Sequence, residues 1–202
     1  WLQAGQRVWL CTIVETWGSS PRPVGSWLAI AESGHWSGSV SGGCLEEDLL
    51  RRTAEDGPDD PVFVDYGITD DDRDHFQLPC GGRIRLLVEP FQGQSGLDHV
   101  NALAGALRDR EPVVRRVPLK GIVALERAAV RAGKAVSFDG EKLVHVLQPE
   151  CRLLLIGAGE VARYVAEFAT AAEFAVTLCE PRETFASGWS YDQIPMDRRL
   201  PD

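Results

Sequence analysis

Towards its C-terminal end the chain carries an apolar run, Cys151–Ile156, followed by Gly157-Ala158-Gly159-Glu160-Val161-Ala162. A helical pattern over Glu160–Ala172 comes next, then a second apolar run, Phe174–Cys179, closed by Glu180. No other feature constrains the fold as much. Continuous apolar strands around a helix are the pattern of a parallel βαβ unit buried on both faces. The loop matches G-x-G-x-x-G/A: Gly157 permits the tight turn, Gly159 lets backbone approach a pyrophosphate, and Ala162 allows close helix–sheet packing. N–H groups at the helix start can hold phosphates. Glu180, 23 positions after Gly157, can accept a ribose hydroxyl. Two readings stand here: a dinucleotide site, or small residues that serve only helix–strand packing. Only 23 residues follow Cys179, and they include Pro181, Gly188, Pro195 and Pro201. A doubly wound sheet needs more strands than these can make. The rest of that sheet is therefore expected to be missing, cut away or supplied by another subunit.

Composition changes near Gln148-Pro149-Glu150. Before that point short strands alternate with Gly/Pro turns. Strands are expected at Arg7–Thr16, Ser26–Ala31, Trp36–Val40, Val62–Tyr66, Arg83–Glu89 and Val113–Val117. Lys134–Val146 reads as a hairpin turning at Asp139-Gly140. The segment LEEDLLRRTAED from Leu45 reads as an amphipathic helix with acids in its first turn, where the dipole favours them. Gly96–Asp109 reads as another helix, and residues 122–131 receive no assignment. The expected fold class is α/β: a mixed α/β domain of short strands over 1–148, then a truncated Rossmann-like βαβ domain over 149–202.

Composition excludes several functions. At 202 residues the chain can bury a core without disulfides or a structural metal. Its 21 basic and 30 acidic residues leave a formal charge of -9, which repels nucleic-acid backbones and anionic membrane surfaces. No stretch approaches the ~18 apolar residues of a membrane span. The first residues lack the basic start and apolar run of a signal peptide, and the sequence lacks an initiator Met. Five cysteines without a C-x-x-C pair argue against a secreted disulfide framework, so a reducing, cytoplasmic setting is expected. Neither a Ser nucleophile elbow nor a P-loop with its Lys occurs.

Three further segments carry chemistry. In Gly38-Ser39-Val40-Ser41-Gly42-Gly43-Cys44-Leu45-Glu46, Cys44 sits at the start of a helix, which favours thiolate. Gly42 and Gly43 leave backbone N–H groups open to a ligand. A thiolate there can bind a soft metal or carry sulfur; a small buried hydrophobe is the other reading. Pro79-Cys80-Gly81-Gly82 again places a cysteine beside glycines in a loop, whereas Cys11, Cys151 and Cys179 lie in or beside apolar strands and are assigned to packing. In Gly18-Ser19-Ser20-Pro21-Arg22-Pro23, hydroxyls, N–H groups and Arg22 can cradle an anion, or form a Pro-stiffened surface loop. Asp70, Asp71, Asp72 and Asp74 with His75 read as a solvated acidic loop.

Together, VETWGSSPRPVG, GSVSGGCLEEDLL, LPCGGRIRLLVEP and LLLIGAGEVARYVAEF ending in TLCEPR resemble the XdhC/CoxI family, the xanthine dehydrogenase accessory factors. The likeness runs from about Val8 to Arg182. It implies a chaperone that binds the molybdenum (molybdopterin) cofactor, protects it during sulfuration by a cysteine desulfurase and helps insert it into a xanthine dehydrogenase-type molybdenum hydroxylase. Carried over, the two cysteine motifs fall on Cys44 and Cys80, as cofactor-binding and metal-ligating residues. The Gly-Ser-Ser-Pro loop falls on Gly18–Pro21, and the nucleotide-fold loop on Gly157–Gly159. The chain departs from the common pattern at Glu160, where the family commonly has His, and at Glu180, where it commonly has Asp. A carrier rather than a catalyst is expected, with Gly18, Ser19, Ser20, Arg22, Gly42, Gly43, Gly81 and Gly82 around the cofactor. The rivals are an NAD(P)-dependent oxidoreductase built on Gly157, Gly159 and Glu180, for which no proton donor is identifiable, and a sulfur-carrying thiol enzyme using Cys44. An incomplete sheet with an exposed edge makes a homodimer the expected assembly.

Overall fold

The computed structural model describes residues 1–18, 20–43, 45–67, 83–128, 134–148, 151–172, 174–191 and 194–200. The chain packs as two compact units, Trp1–Arg108 with Pro112–Leu147, and Asp109–Glu111 with Gln148–Asp202.

In the first unit a 3₁₀ turn at Leu2–Ala4 precedes β1 (Val8–Trp17), β2 (Trp27–Ala31), β3 (Trp36–Gly38), α1 (Glu46–Asp56), β4 (Val62–Tyr66), β5 (Arg83–Phe91) and α2 (Gly93–Arg108). These strands form one antiparallel sheet in the order β3-β2-β1-β5-β4. Then come β6 (Val113–Pro118), β7 (Ala124–Arg127), β8 (Val136–Phe138) and β9 (Lys142–Leu147), in a second antiparallel sheet ordered β7-β6-β9-β8. β1 is rich in β-branched and aromatic residues, which suit a pleated surface. Both faces of the central strands are covered. Cys11, Ile13, Ile84 and Leu86 pack with Leu45 and Leu49 at α1, whereas Leu87 joins Val117, Val136 and Leu143 of the second sheet.

The two sheets are also tied by charge. Arg115 on β6 and Glu89 on β5 are both fully buried, with Nη2 donating to Oε1 at 2.6 Å and Nη1 to Oε2 at 3.3 Å. Arg115 Nε donates to His99 Nε2 at 3.1 Å. His99 can accept because burial, aided by the Arg115 charge, lowers its pKa to about 4 and keeps the ring neutral.

The second unit holds β10 (Arg152–Ile156), α3 (Glu160–Ala171), β11 (Ala175–Cys179), α4 (Glu183–Ala186) and β12 (Met196–Asp197). Its sheet is parallel, ordered β10-β11-β12. Ala166 and Ala169 of α3 pack on Val176 and Leu178, with Leu153 and Leu155 beside them.

The mixed α/β class is as the sequence indicated. Local differences have local causes. The strand read over Trp36–Val40 stops at Gly38, because the N–H groups of Val40 and Ser41 bond to Glu46 instead of a neighbouring strand. The helix read from Gly96 starts at Gly93, and β7 lies within the unassigned residues 122–131. Past Cys179 the prolines do not prevent a third strand: proline keeps its carbonyl, and that of Pro195 accepts from Leu178 N at 3.0 Å. The hairpin turn at Asp139-Gly140 is present, with Asp139 Oδ1 accepting from the N–H groups of Glu141 and Lys142.

Candidate functional site

The antiparallel order of the first sheet brings its motif-bearing segments to one end. β1 rises to Trp17 and leads into the Gly18–Pro23 loop, and β5 starts opposite, with Arg83 as the register partner of Trp17. β3 ends at Gly38 opposite Leu28, and β4 ends at Tyr66 opposite Ile84. Loops after β1, β3 and β4 therefore leave the sheet at the same end. Two of them touch: a Cβ added at Gly42 would lie 3.7 Å from Cβ and Cγ of Pro21. Of the residues singled out in the sequence, Ser19, Cys44, Cys80, Gly81 and Gly82 lie outside the described residues, as does the Asp70–His75 segment.

The segment 39–43 is organised by a residue that the sequence reading passed over. Glu46, 4% exposed, turns its carboxylate back into the loop. Oε1 accepts from Ser39 Oγ (2.7 Å), Val40 N (2.9 Å) and Ser41 N (3.0 Å). Oε2 accepts from Gly43 N (3.0 Å) and from Ser41 Oγ. Gly42 N donates to Ser39 Oγ and Leu45 N to Ser41 Oγ. Burial works against the charged carboxylate, but the bonds from Ser41, Ser39 and Val40 prevail and lower its pKa to about 2. The backbone donors expected to face a ligand at Gly42 and Gly43 are thus already engaged. Gly42 and Gly43 have φ of 78° and 124°, which a side chain would strain. α1 is capped at Leu45 and Glu46 is its first residue, so the reach back to the Gly43 N–H is not the capping-box spacing that a sequence announces.

In the neighbouring loop Gly18 has φ of 81°, and Ser20 Oγ donates to the carbonyl of Arg22 at 2.8 Å. The exposed Arg22 side chain makes no hydrogen bond or ion pair among the described residues. At the sheet end itself, the Arg83 guanidinium lies over the Trp17 ring, 4.5 Å from its centroid.

Of the cysteines assigned to packing, Cys11 is sealed in the core. Burial, with the nearby Glu89 charge adding to it, pushes its thiol up to about 12. Cys179 is buried and donates to the Arg199 carbonyl at 3.1 Å. Cys151 differs from expectation: it is exposed, standing just before β10 rather than inside it.

In the second unit Gly157 (φ 99°) donates to the Cys179 carbonyl at 2.8 Å, and Gly159 caps α3. A Cβ at Gly159 would meet nothing within 4 Å. Glu180, expected to meet a ribose, is committed to its own chain. It accepts from Ala158 N (2.8 Å), Arg182 N (3.0 Å), and Arg182 Nε and Nη2 (both 2.8 Å). The Arg182 side chain and then the Ala158 N–H hold its pKa down at about 2. Glu180 clamps the glycine loop, and this does not favour the NAD(P) reading. Among the described residues, no cluster of His, Cys, Asp and Glu suits a metal, and no helix is long and apolar enough to cross a membrane.

Comparison with known proteins agrees with the motifs. A relative in Escherichia coli K12, the molybdenum cofactor insertion chaperone PaoD, is 32% identical over 115 residues, or 55% of this chain. The chain spans about a third (34%) of that relative's length. A solved structure described as a xanthine dehydrogenase from Bacillus halodurans superposes with a TM-score of 0.67 at 22% identity, covering 95% of this chain and 63% of that one. That likeness is one of fold. The sequence profile of the XdhC and CoxI family matches residues 1–67. The family resemblance read from the motifs is thus borne out: over residues 1–67 this chain matches the XdhC and CoxI family.

Proposed function

We propose that this chain is a molybdenum cofactor insertion chaperone: it carries the cofactor as cargo, shields it while a cysteine desulfurase supplies sulfur, and passes it to a xanthine dehydrogenase-type molybdenum hydroxylase. The observation that carries this reading is the topology. Antiparallel pairing sends the loops after β1, β3 and β4 off one end of the sheet, with Gly42 against Pro21. The likeness to PaoD supports it. In this reading Cys44 and Cys80 are soft ligands for the metal, and Gly18, Ser19, Ser20 and Arg22 meet the cofactor's anionic arm. Gly81 and Gly82 give the backbone beside Cys80 its freedom, and Gly42 and Gly43 shape the loop before Cys44. Gly157, Gly159 and Glu180 are assigned to holding the second unit together.

Cys44→Ala with Cys80→Ala is expected to lower the molybdenum and pterin retained per chain at least about tenfold, a loss of ~1.4 kcal/mol. Retention at the level of the unsubstituted chain overturns the cysteine role. Two copies are expected to associate. The second unit exposes Leu154 and Ile156 on the edge strand β10, and Val161, Tyr164, Val165 and Phe168 along α3. Apolar side chains exposed close together mark an interaction surface. Light scattering at high protein concentration checks this, and the mass of a single chain counts against it.

A further inference from the structure

Trp17 closes β1 and Arg83 opens β5, and the two are register partners. Three observations single them out. First, Trp17 keeps 36% of its surface exposed at the end of the sheet where the motif-bearing loops leave. Second, the Arg83 guanidinium carbon sits 4.5 Å from the Trp17 centroid, well within the distance at which a cation is held by an aromatic face. Third, Arg83 makes no side-chain hydrogen bond or ion pair among the described residues, and its Nε is buried without a partner. Arg85, two positions along the same strand, is forked onto Asp65; Arg115 is paired with Glu89 and Arg182 with Glu180. Where carboxylates are plentiful, an unpaired guanidinium stacked on an open indole offers charge and planarity together. Arg22, also unpaired, lies in the loop that leaves β1 beside it.

We propose that Trp17 and Arg83 form a stacking platform for a planar nitrogen heterocycle with an anionic arm. Arg83 holds the plane of the indole from the face it covers, the ring stacks on the other face, and Arg22 meets the arm. This rests on the proposed function in one respect: it is that reading which makes the ring the pterin of the molybdenum cofactor. Stacking on one aromatic side chain is sequence-tolerant and strong enough to change affinity by about 10-fold or more.

The test titrates the full chain with pterin-6-carboxylate, a fluorescent planar ring with one anionic group, and follows quenching of pterin emission by the indole. Molybdenum cofactor retention is measured alongside. Circular dichroism checks that each variant is folded. The expected result is saturable binding with quenching that weakens about tenfold or more in Trp17→Ala and Arg83→Ala. Trp17→Phe should restore most of the affinity without the indole quench. Arg83→Lys, which keeps charge but not the planar fork, should fall between. Folded Trp17→Ala and Arg83→Ala variants that bind like the parent overturn the platform, as does parent binding without quenching. If the parent retains cofactor but binds no pterin-6-carboxylate, the platform falls and the carrier reading stands. If it binds this probe through Trp17 but retains no cofactor, the carrier reading falls and the platform stands.

Discussion

Glu46→Ala is expected to destabilise the first unit by about 3–5 kcal/mol and to abolish cofactor retention. The carboxylate takes five hydrogen bonds from Ser39, Val40, Ser41 and Gly43. Val40 and Ser41 are buried, so their N–H groups cannot turn to bulk water when the acceptor is removed. Each buried donor left unsatisfied costs about 1–3 kcal/mol. The damage does not stop at stability. Gly43 N is bonded directly to Glu46, and Leu45 N is bonded to Ser41 Oγ, which is itself bonded to Glu46. The peptide on both sides of position 44 is therefore anchored through one side chain. Glu46→Gln retains shape but presents an amide N–H₂ towards donors, so it should lose an intermediate amount. The effect has a defined pH dependence. Glu46 has a folded-state pKa lowered to about 2 from an ordinary 4.5. Its contribution is complete above about pH 4.5 and declines as pH falls towards 2. The gap between parent and Glu46→Ala in urea unfolding should narrow over that window. A Glu46→Ala chain within about 1 kcal/mol of the parent at pH 7 would falsify the role given to this residue.

What the sequence disclosed and what it hid follow one physical distinction. β10, α3 and β11 were legible as elements because apolar runs and periods are local to the chain. α1 was legible for the same reason, its buried Leu45 and Leu49 lying four positions apart. But β10 is not buried on both faces as its continuous apolar run suggested: Arg152, Leu154 and Ile156 are exposed. Partnerships across sequence distance were hidden. Glu180 reads as a ribose acceptor and Glu46 as a dipole-favoured acid until the structure shows which N–H groups point at them. A residue type tells that a carboxylate needs donors, and not whether a ligand or the chain supplies them. In both loops the chain supplies them. The convergence of the loops was hidden likewise, since it depends on β1 pairing with β5 across the segments between them. Cys44 and Cys80 were the most informative residues of the sequence, and both lie outside the described residues. The site can therefore be argued from the strand ends that carry them and from their neighbours Gly43, Leu45 and Arg83.

The second large effect is expected at the buried ion pair that joins the two sheets of the first unit. Arg115→Met leaves the Glu89 carboxylate, 1% exposed, without its forked partner. Removing one member of a buried pair costs about 3–5 kcal/mol, because the remaining charge has lost both water and its counter-ion. His99 would also lose the N–H it accepts from Arg115, at a site where its ring is kept neutral. The double change Glu89→Leu with Arg115→Met removes both charges at once. Replacing a buried pair by apolar side chains of similar volume is often neutral or stabilising. The double variant should therefore be more stable than Arg115→Met alone, by about 2 kcal/mol or more, and the two single losses should not add. Urea unfolding of the four proteins in this cycle measures the coupling. Strict additivity of the two losses would mean that Glu89 and Arg115 do not depend on each other, contrary to the 2.6 Å bond between them.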